Sequence, residues 1–395
     1  MEYSQLFALL ALPLKLLTLY FTYIALRWAF APREHWPEAG PKTRFAIVIA
    51  ARNEETVIGR LVKSLLAQDY PRALFEVFVV PNNCTDDTAG EAFRAGAQLL
   101  HCPWPVGNKG DALRQAFCLL EGKGYDAFLV FDADNVVDQQ YLRRTNDAFC
   151  AGARVVKGRQ MALNPRESWV AGCYDLYFGL FDLFFNRPRA RGGLSVKLVG
   201  TGFAVHRSVL EQLGGWNTRT IAEDAEFAAL CARENIRVCW APEAVTWDEE
   251  PCGFWVSLRQ RKRWCSGVIQ VGRQMLPRLF SGAKSRRGWD FICFLLTAQL
   301  QPVSALLLLC SWLCLAAEGG LSLPVVLAAA GGWWLGCTVL AAFLLLTQRP
   351  KERRNWRAAV LFPVFMASWL PLQVLALFHK TTKWREIRHG SSRLA

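Results

Sequence analysis

Apolar positions gather into four long stretches and alternate with polar ones between them. The first stretch, Leu6–Phe30, has Lys15 as the one charge of its interior and is long enough to cross roughly 30 Å of hydrocarbon. Three more, Phe291–Ala317, Leu321–Thr347 and Trp356–Phe378, follow near the C-terminus. From residue 45 to about 280 the pattern is mixed. Phe45–Ala50, Glu76–Val80 and Ala127–Phe131 are apolar runs of strand length bounded by polar residues, as buried parallel strands are. Thr56–Gln68, Asp86–Ala95, Asp111–Glu121 and Asp138–Phe149 read as the helices between and after them. Such alternation predicts an α/β, doubly wound sheet whose ligand lies beyond the carboxyl ends of the strands.

Charge orients this pattern. Arg27, Arg33, Lys42 and Arg44 lie at the C-terminal end of the first apolar stretch, and Arg349, Lys351, Arg353, Arg354 and Arg357 fill the link at 348–357. Glu318-Gly319-Gly320 carries no basic residue and reads as external. By the positive-inside rule the N-terminus lies outside and the polar region lies in the cytoplasm. Four plain spans would leave the basic tail outside, so either the tail breaks the rule or one run is re-entrant or broken. Pro302, Pro363 and Pro371 permit the latter. Glu2 in place of a basic leader, and Pro32 directly after Ala29-Phe30-Ala31, argue against a cleaved signal peptide. Lys15 either snorkels, faces other helices or serves a lipid-phosphate path. The chain divides into a transmembrane helix at 1–32, an α/β domain at 43–250, an amphipathic interfacial region at 251–288, about three transmembrane helices at 289–379 and a basic tail at 380–395.

Composition then narrows the chemistry. Lys+Arg 46 against Asp+Glu 33 gives +13, which suits an anionic membrane face or a phosphorylated substrate. Because many basic residues flank the apolar runs, nucleic acid is the weakest of the candidate partners. The 13 cysteines form no C-x-x-C pair and the five histidines show no ligand spacing, so reduced thiols are expected and zinc is not.

The candidate chemistry sits at the strand ends. Ala51-Arg52-Asn53-Glu54 closes the first strand, and Asn82 follows the second, where short polar side chains can reach a base or ribose. Thr85 or Asp86 is expected to cap the next helix. Gly107-Asn108-Lys109-Gly110-Asp111 opens another helix and offers backbone N–H groups and one ammonium to an anion. Asp132-Ala133-Asp134 ends the third strand, and two carboxylates at that spacing can converge on Mg2+ or Mn2+. Without a cation or strong donors they would repel; the plainer alternative makes Asp134 a helix N-cap with Asp132 exposed. Gly200-Thr201-Gly202 precedes a strand at Phe203–His206, and Glu223-Asp224 begins the helix Ala222–Arg233, where the dipole favours acids anyway. Gln260-Arg261-Lys262-Arg263-Trp264 lies on the amphipathic stretch Phe254–Phe280. That stretch is expected at the membrane interface, with Arg261 or Lys262 toward lipid headgroups and Trp264 toward the site at the strand ends.

In this order the motifs resemble those of the membrane-integrated family-2 glycosyltransferases, the group of cellulose, chitin-oligosaccharide, hyaluronan and poly-N-acetylglucosamine synthases. The resemblance rests on Asp132-x-Asp134, Glu223-Asp224 and Gln260-x-x-Arg263-Trp264 and covers nearly the whole chain. It implies a GT-A-like fold, a nucleotide-sugar donor, usually UDP-linked, and inversion at the anomeric carbon. Carried over, Asp132 and Asp134 hold the diphosphate and its metal and Asp224 is the general base; Glu223, longer and one step earlier, braces the site or accepts a bond from a neighbouring basic residue. Lys109 and Gly110 lie beside the donor with Ala51, Arg52, Asn53, Glu54, Asn82, Gln260 and Arg263. Trp264 stacks on the acceptor, with Gly200, Thr201 and Gly202 on the same side. Lys383-Trp384 and Arg385 loosely resemble the family's gating segment. One departure is Asn82, where many members have Asp: its amide can accept from uracil N3–H and donate to O4, without charge assistance.

Three functions follow. A synthase extending a β-glycan is favoured by the Gln-x-x-Arg-Trp element. A transferase adding one sugar to a lipid is the alternative, because four spans offer little material for a polymer channel without a homo-oligomer or an export partner. A non-catalytic nucleotide-sensing scaffold is the third. A glycosidase is rejected, since phosphate-binding elements on a cytoplasmic membrane face, as of a bacterial plasma membrane, would have no use in it.

Overall fold

The computed structural model describes residues 3–32, 35–282, 284–320, 322–379 and 381. Arg33, most of the basic tail and the Lys383-Trp384-Arg385 segment lie outside them. The strands are β1 (Phe45–Ala51), β2 (Phe75–Pro81), β3 (Gln98–Leu99), β4 (Ala127–Phe131), β5 (Asn135–Val137), β6 (Val155–Ala162), β7 (Phe203–His206) and β8 (Val238–Asp248). They form one sheet in the order β3-β2-β1-β4-β7-β6-β8-β5. The first four in that order are parallel, as the sequence predicts. Beyond them β7 runs antiparallel to both β4 and β6, and β8 pairs parallel to β6.

Helices α1 (Tyr3–Leu10) and α2 (Leu12–Trp28) precede the sheet. Within and around it come α3 (Ile58–Leu66), α4 (Thr88–Arg94), α5 (Lys109–Leu120), α6 (Tyr141–Cys150), α7 (Trp169–Phe181), α8 (Arg187–Arg191), α9 (Arg207–Leu213) and α10 (Glu223–Arg233). The last five are α11 (Phe254–Gly282), α12 (Arg286–Ala317), α13 (Leu323–Gln348), α14 (Trp356–Ala367) and α15 (Trp369–Phe378). Successive β1 side chains enter opposite cores. Phe45, Ile47 and Ile49 pack with α3 and α6, whereas Ala46 and Val48 pack with α5 and α10. That two-sided burial is why the strand reads as a continuous apolar run.

Two apolar runs are not single helices. The first breaks at Ala11, ahead of Pro13 in the first turn of α2, where the missing proline N–H costs nothing. The last is jointed at Ser368, between Pro363 and Pro371. Arg286–Ala317, Leu323–Gln348 and Trp356–Phe378 are long and apolar enough to cross a membrane.

The apolar helices are fastened to the sheet domain by buried arginines. Arg349 pairs with Asp175 of α7 at 2.5 Å, with both side chains 2% exposed. Asn355 Nδ2 donates to the carbonyls of Pro165 and Ser168, and Arg353 to that of Ala162. Arg261 departs from expectation. It is fully buried, donating to Phe365 O at 3.0 Å, Ser368 Oγ at 2.9 Å and Ser257 Oγ at 3.1 Å. The last turn of α14 leaves carbonyls without helical partners, and the guanidinium satisfies one there instead of meeting lipid headgroups.

Candidate active site

The carboxyl ends of β1, β2 and β4 open on one side of the sheet, and the start of α10 and the middle of α11 close over them. Between these lies a cavity of about 470 Å³. Of the residues singled out by sequence, Arg52, Glu54, Asn82, Lys109, Asp132, Asp134, Gly200, Thr201, Glu223, Asp224, Gln260, Arg263 and Trp264 line it. Ala51, Asn53, Gly110 and Gly202 do not line it; they shape its walls.

The loops after β1 and β2 are knitted to each other. Asn53 adopts a left-handed backbone (φ 57°) and accepts from the Thr85 N–H at 2.7 Å, so Thr85 serves this link and not a helix cap. Asp86 accepts from the backbone N–H groups of Glu55 and Thr88, both at 3.1 Å. The Asn82 amide nitrogen donates to Ala51 O at 3.0 Å. Its second N–H points to Val80 O at 3.4 Å, which leaves the amide oxygen as the group open to a base. Asn108 caps α5 through Asp111 N–H, aiming Lys109 into the cavity. A β-carbon at Gly110 would meet Thr218 Oγ1 at 2.7 Å and Glu223 Cβ at 3.2 Å, so glycine permits α5 to abut α10.

Lys109 joins three motifs far apart in sequence. Its Nζ lies 2.5 Å from Asp132 Oδ1, 2.5 Å from Gly200 O and 3.7 Å from Glu223 Oε1. Burial works to lower its pKa, but the carboxylates of Asp132 and Glu223 hold it above the usual lysine value. Lys109 is thus the donor that the neighbouring carboxylates require. No helix begins at Asp134, because β5 follows at Asn135, so the N-cap alternative fails. Asp132 N–H donates to Thr201 Oγ1 at 3.0 Å, and the Thr201 hydroxyl donates to Asn135 Oδ1. Gly202, with φ 59°, donates its N–H to Val130 O at 2.9 Å. Thr201 and Gly202 therefore set the turn that presents Asp132 and Asp134.

Asp132 and Asp134 offer oxygen donors of the kind Mg2+ and Mn2+ accept. Among the described residues no cluster of three His, Cys, Asp or Glu forms a ligand set, so the residues fit an ion that completes its shell with water and phosphate oxygens. Opposite them, Glu223 is 7% exposed and burial raises its carboxyl to about 7, against the pull of Lys109. Burial also raises Asp224, which accepts from Ala225 N–H at 2.7 Å. Lys109 Nζ, Glu223 Oε1 and Asp224 Oδ2 all fall within 3.8 Å of where a Gly200 β-carbon would stand. Gln260 accepts from Tyr174 OH at 2.8 Å. Trp264 stacks near Trp369 at 6.2 Å, and Trp369 on Tyr177 at 5.2 Å.

Sequence reasoning missed several charged groups that line the same cavity, among them Lys157, Asp182, Lys197 and Asp248. Burial lowers Lys157 and Lys197 each to about 8. Asp248 is pushed well above the carboxylate range by burial and by Asp134 and Asp132; it accepts from Asn135 and Gln160. The signals were present, since Lys157 interrupts the apolar run Val155-Val156 and Asp248-Glu249-Glu250 ends the alternating stretch before it.

The curled mixed sheet, with the two acid pairs joined through Lys109 and a basic–aromatic helix above them, has a GT-A-like architecture. The profile of "Glycosyltransferase like family 2" matches residues 41–267, and the chain belongs to that family. It is 29% identical over 266 residues to the probable glycosyltransferase YdaM of Bacillus subtilis, covering 64% of this chain and 62% of that one. It is 30% identical over 291 residues to the beta-monoglucosyldiacylglycerol synthase of Nostoc, covering 70% of this chain and 60% of the relative. The chain thus spans about three fifths of the length of these curated relatives. Among solved structures, the mannosyltransferase PcManGT of Pyrobaculum calidifontis, in complex with GDP-Man and Mn2+, superposes with a TM-score of 0.64 at 20% identity. That match covers 95% of this chain and 99% of that one, and it shows the GT-A-like fold.

Proposed function

We propose that this chain transfers a single sugar from a nucleotide sugar, UDP-linked, to the hydroxyl of a membrane lipid, with inversion at the anomeric carbon. The observation that carries this reading is the continuity of one cavity. It runs from Lys109, Asp132 and Asp134 at the strand ends to Phe181, Phe291 and Phe294, side chains of α7 and the apolar helix α12. A charged end suits a sugar diphosphate, and an apolar end suits acyl chains. The likeness to a beta-monoglucosyldiacylglycerol synthase points the same way.

We assign the roles as follows. Lys109 and Arg263 offset charge on the departing diphosphate, and Asp132 and Asp134 would hold Mg2+ or Mn2+, which supplies further positive charge there. Asp224 takes the proton of the acceptor hydroxyl, directly or through one water. Glu223 braces Lys109. Trp264, beside Trp369 and Tyr177, offers an aromatic face to the acceptor. The domain is cytoplasmic and the protein integral to the membrane, a reading supported by the docking of the basic loop 348–357 on α7. Extension of a β-glycan is the second reading, favoured by Gln260-x-x-Arg263-Trp264.

Radiolabelled UDP-sugars given to membranes containing the full chain decide among these. Label in the solvent-extractable lipid fraction is expected. Label in insoluble polymer selects the second reading, and bound nucleotide without turnover overturns both in favour of a scaffold.

A further inference from the structure

The acceptor half of the cavity contains a lysine that neither the sequence motifs nor the proposed chemistry uses. Lys197 lies in the segment between α8 and β7, its backbone N–H fixed by Asn186 Oδ1 at 3.1 Å. Its Nζ stands 4.2 Å from the Phe181 ring centroid and 5.9 Å from that of Tyr177. Tyr177 is the ring that stacks on Trp369, next to Trp264, so this ammonium borders the aromatic wall on the acceptor side. Asp224 acts on it electrostatically, but no ion pair or hydrogen bond joins Nζ to any described residue.

Neighbouring charges in the cavity are differently placed. Arg189 pairs with Asp290 at 3.0 Å, Asp182 with Arg159 at 3.1 Å, and Lys109 with Asp132. Lys197 has ring faces and the field of Asp224 without a direct bond, which compensate an ammonium in part. An ammonium carries three donors and tolerates burial only where acceptors or water reach it. While the cavity holds water the donors are served. A lipid that fills the cavity expels that water, and an acceptor with a neutral headgroup would then leave them unmatched. An anionic oxygen on the lipid would match them.

Resting on the lipid-acceptor reading, we propose that Lys197 binds an anionic headgroup of the acceptor, a phosphodiester close to the hydroxyl that Asp224 deprotonates. Lys197 is then a specificity residue, selecting phospholipid over neutral acceptors. The experiment pairs two lipids that both offer a glycerol hydroxyl, phosphatidylglycerol and diacylglycerol, in nonionic micelles with the full chain and nucleotide sugar. The wild type is expected to favour phosphatidylglycerol. Lys197→Met should lose about tenfold or more in kcat/KM on phosphatidylglycerol and much less on diacylglycerol, collapsing the preference, because a hydrogen bond to a charged group is lost. Lys197→Arg should retain most of it. Methionine removes the half-buried charge and keeps the bulk against Phe181, and nucleotide-sugar binding reports that the variant is folded.

A wild-type preference for diacylglycerol overturns the proposal. So does an equal loss on both lipids, which would assign Lys197 to Asp224 alone. If the wild type makes polymer and labels neither lipid, the lipid-acceptor reading fails by itself. The anionic site then stands or falls on whether the full chain retains phosphatidylglycerol over diacylglycerol in native mass spectrometry and loses it in Lys197→Met.

Discussion

Replacing Lys109 by methionine keeps the side chain's length and removes the charge shared by Asp132, Gly200 O and Glu223. Breaking a buried pair costs roughly 3–5 kcal/mol, but the Asp132 side chain is 43% exposed, and solvent screening reduces the loss to about 2 kcal/mol. Glu223 gives that loss a pH signature. Its carboxyl is raised from 4.5 to about 7, chiefly by burial, with Lys109 opposing the rise. A folded-state acid with a raised pKa binds its proton more tightly than the unfolded chain does, so stability falls as pH climbs from about 4.5 toward 7. Without Lys109 the folded pKa rises further and the loss continues above pH 7. At about pH 5.5 Glu223 is protonated in both proteins, so only the loss at Asp132 separates them and the gap should be smaller. Near pH 8 the variant should melt lower by about 4–8 °C, the equivalent of ~2 kcal/mol in a domain of this size. Thermal unfolding of the purified chain in detergent at both pH values measures this. An equal drop at both, or none near pH 8, would refute the assignment of Lys109 as the shared counter-charge.

Asp224→Asn should bind nucleotide sugar and lose at least about a hundredfold in transfer, the lower range of general-base contributions, while Glu223→Gln loses less. Turnover by the asparagine variant within about tenfold of the parent, roughly 1.4 kcal/mol, leaves no base role to defend. EDTA should abolish transfer, Mg2+ or Mn2+ should restore it, and Asp134→Ala should resist restoration; undiminished activity in EDTA sinks the metal role. Arg349→Ala strands the Asp175 carboxylate, 2% exposed, and should cost roughly 3–5 kcal/mol and open the loop 348–357 to protease. Unchanged melting and cleavage would mean the pair contributes nothing to docking.

The legible strands were those buried on both faces. β1 and β4 read within a residue of their ends because every position is apolar or small and buried or nearly so, and β7 read likewise between its glycines and His206. β6 and β8 were missed for the converse reason. Lys157, Gly158 and Gln160 of β6 line the cavity with Arg159 between them, and the register with β8 shifts between Gly158 and Arg159, so neither period survives in sequence. Helix α7 escaped notice although Ser168 caps it. Its apolar face meets α14 and its aromatic residues face the cavity, leaving no polar side to mark a helix.

The site divides along the same line. Asp132-x-Asp134 and Glu223-Asp224 were found because each pair is local, with both members on one strand end or one helix start. Lys109 as their common partner was not, because it reaches Asp132 across 23 residues and Gly200 across 91. No spacing in the chain encodes those distances; parallel pairing of β1 with β4 does, by carrying the β4 turn alongside the loop that starts α5. The consequence is electrostatic. A diphosphate seated on Lys109 competes with Asp132 and Glu223 for one ammonium. Glu223 then loses part of the charge that keeps its pKa from rising beyond about 7. Asp132 and Glu223 therefore cannot be charged independently, although 91 residues separate them in the chain.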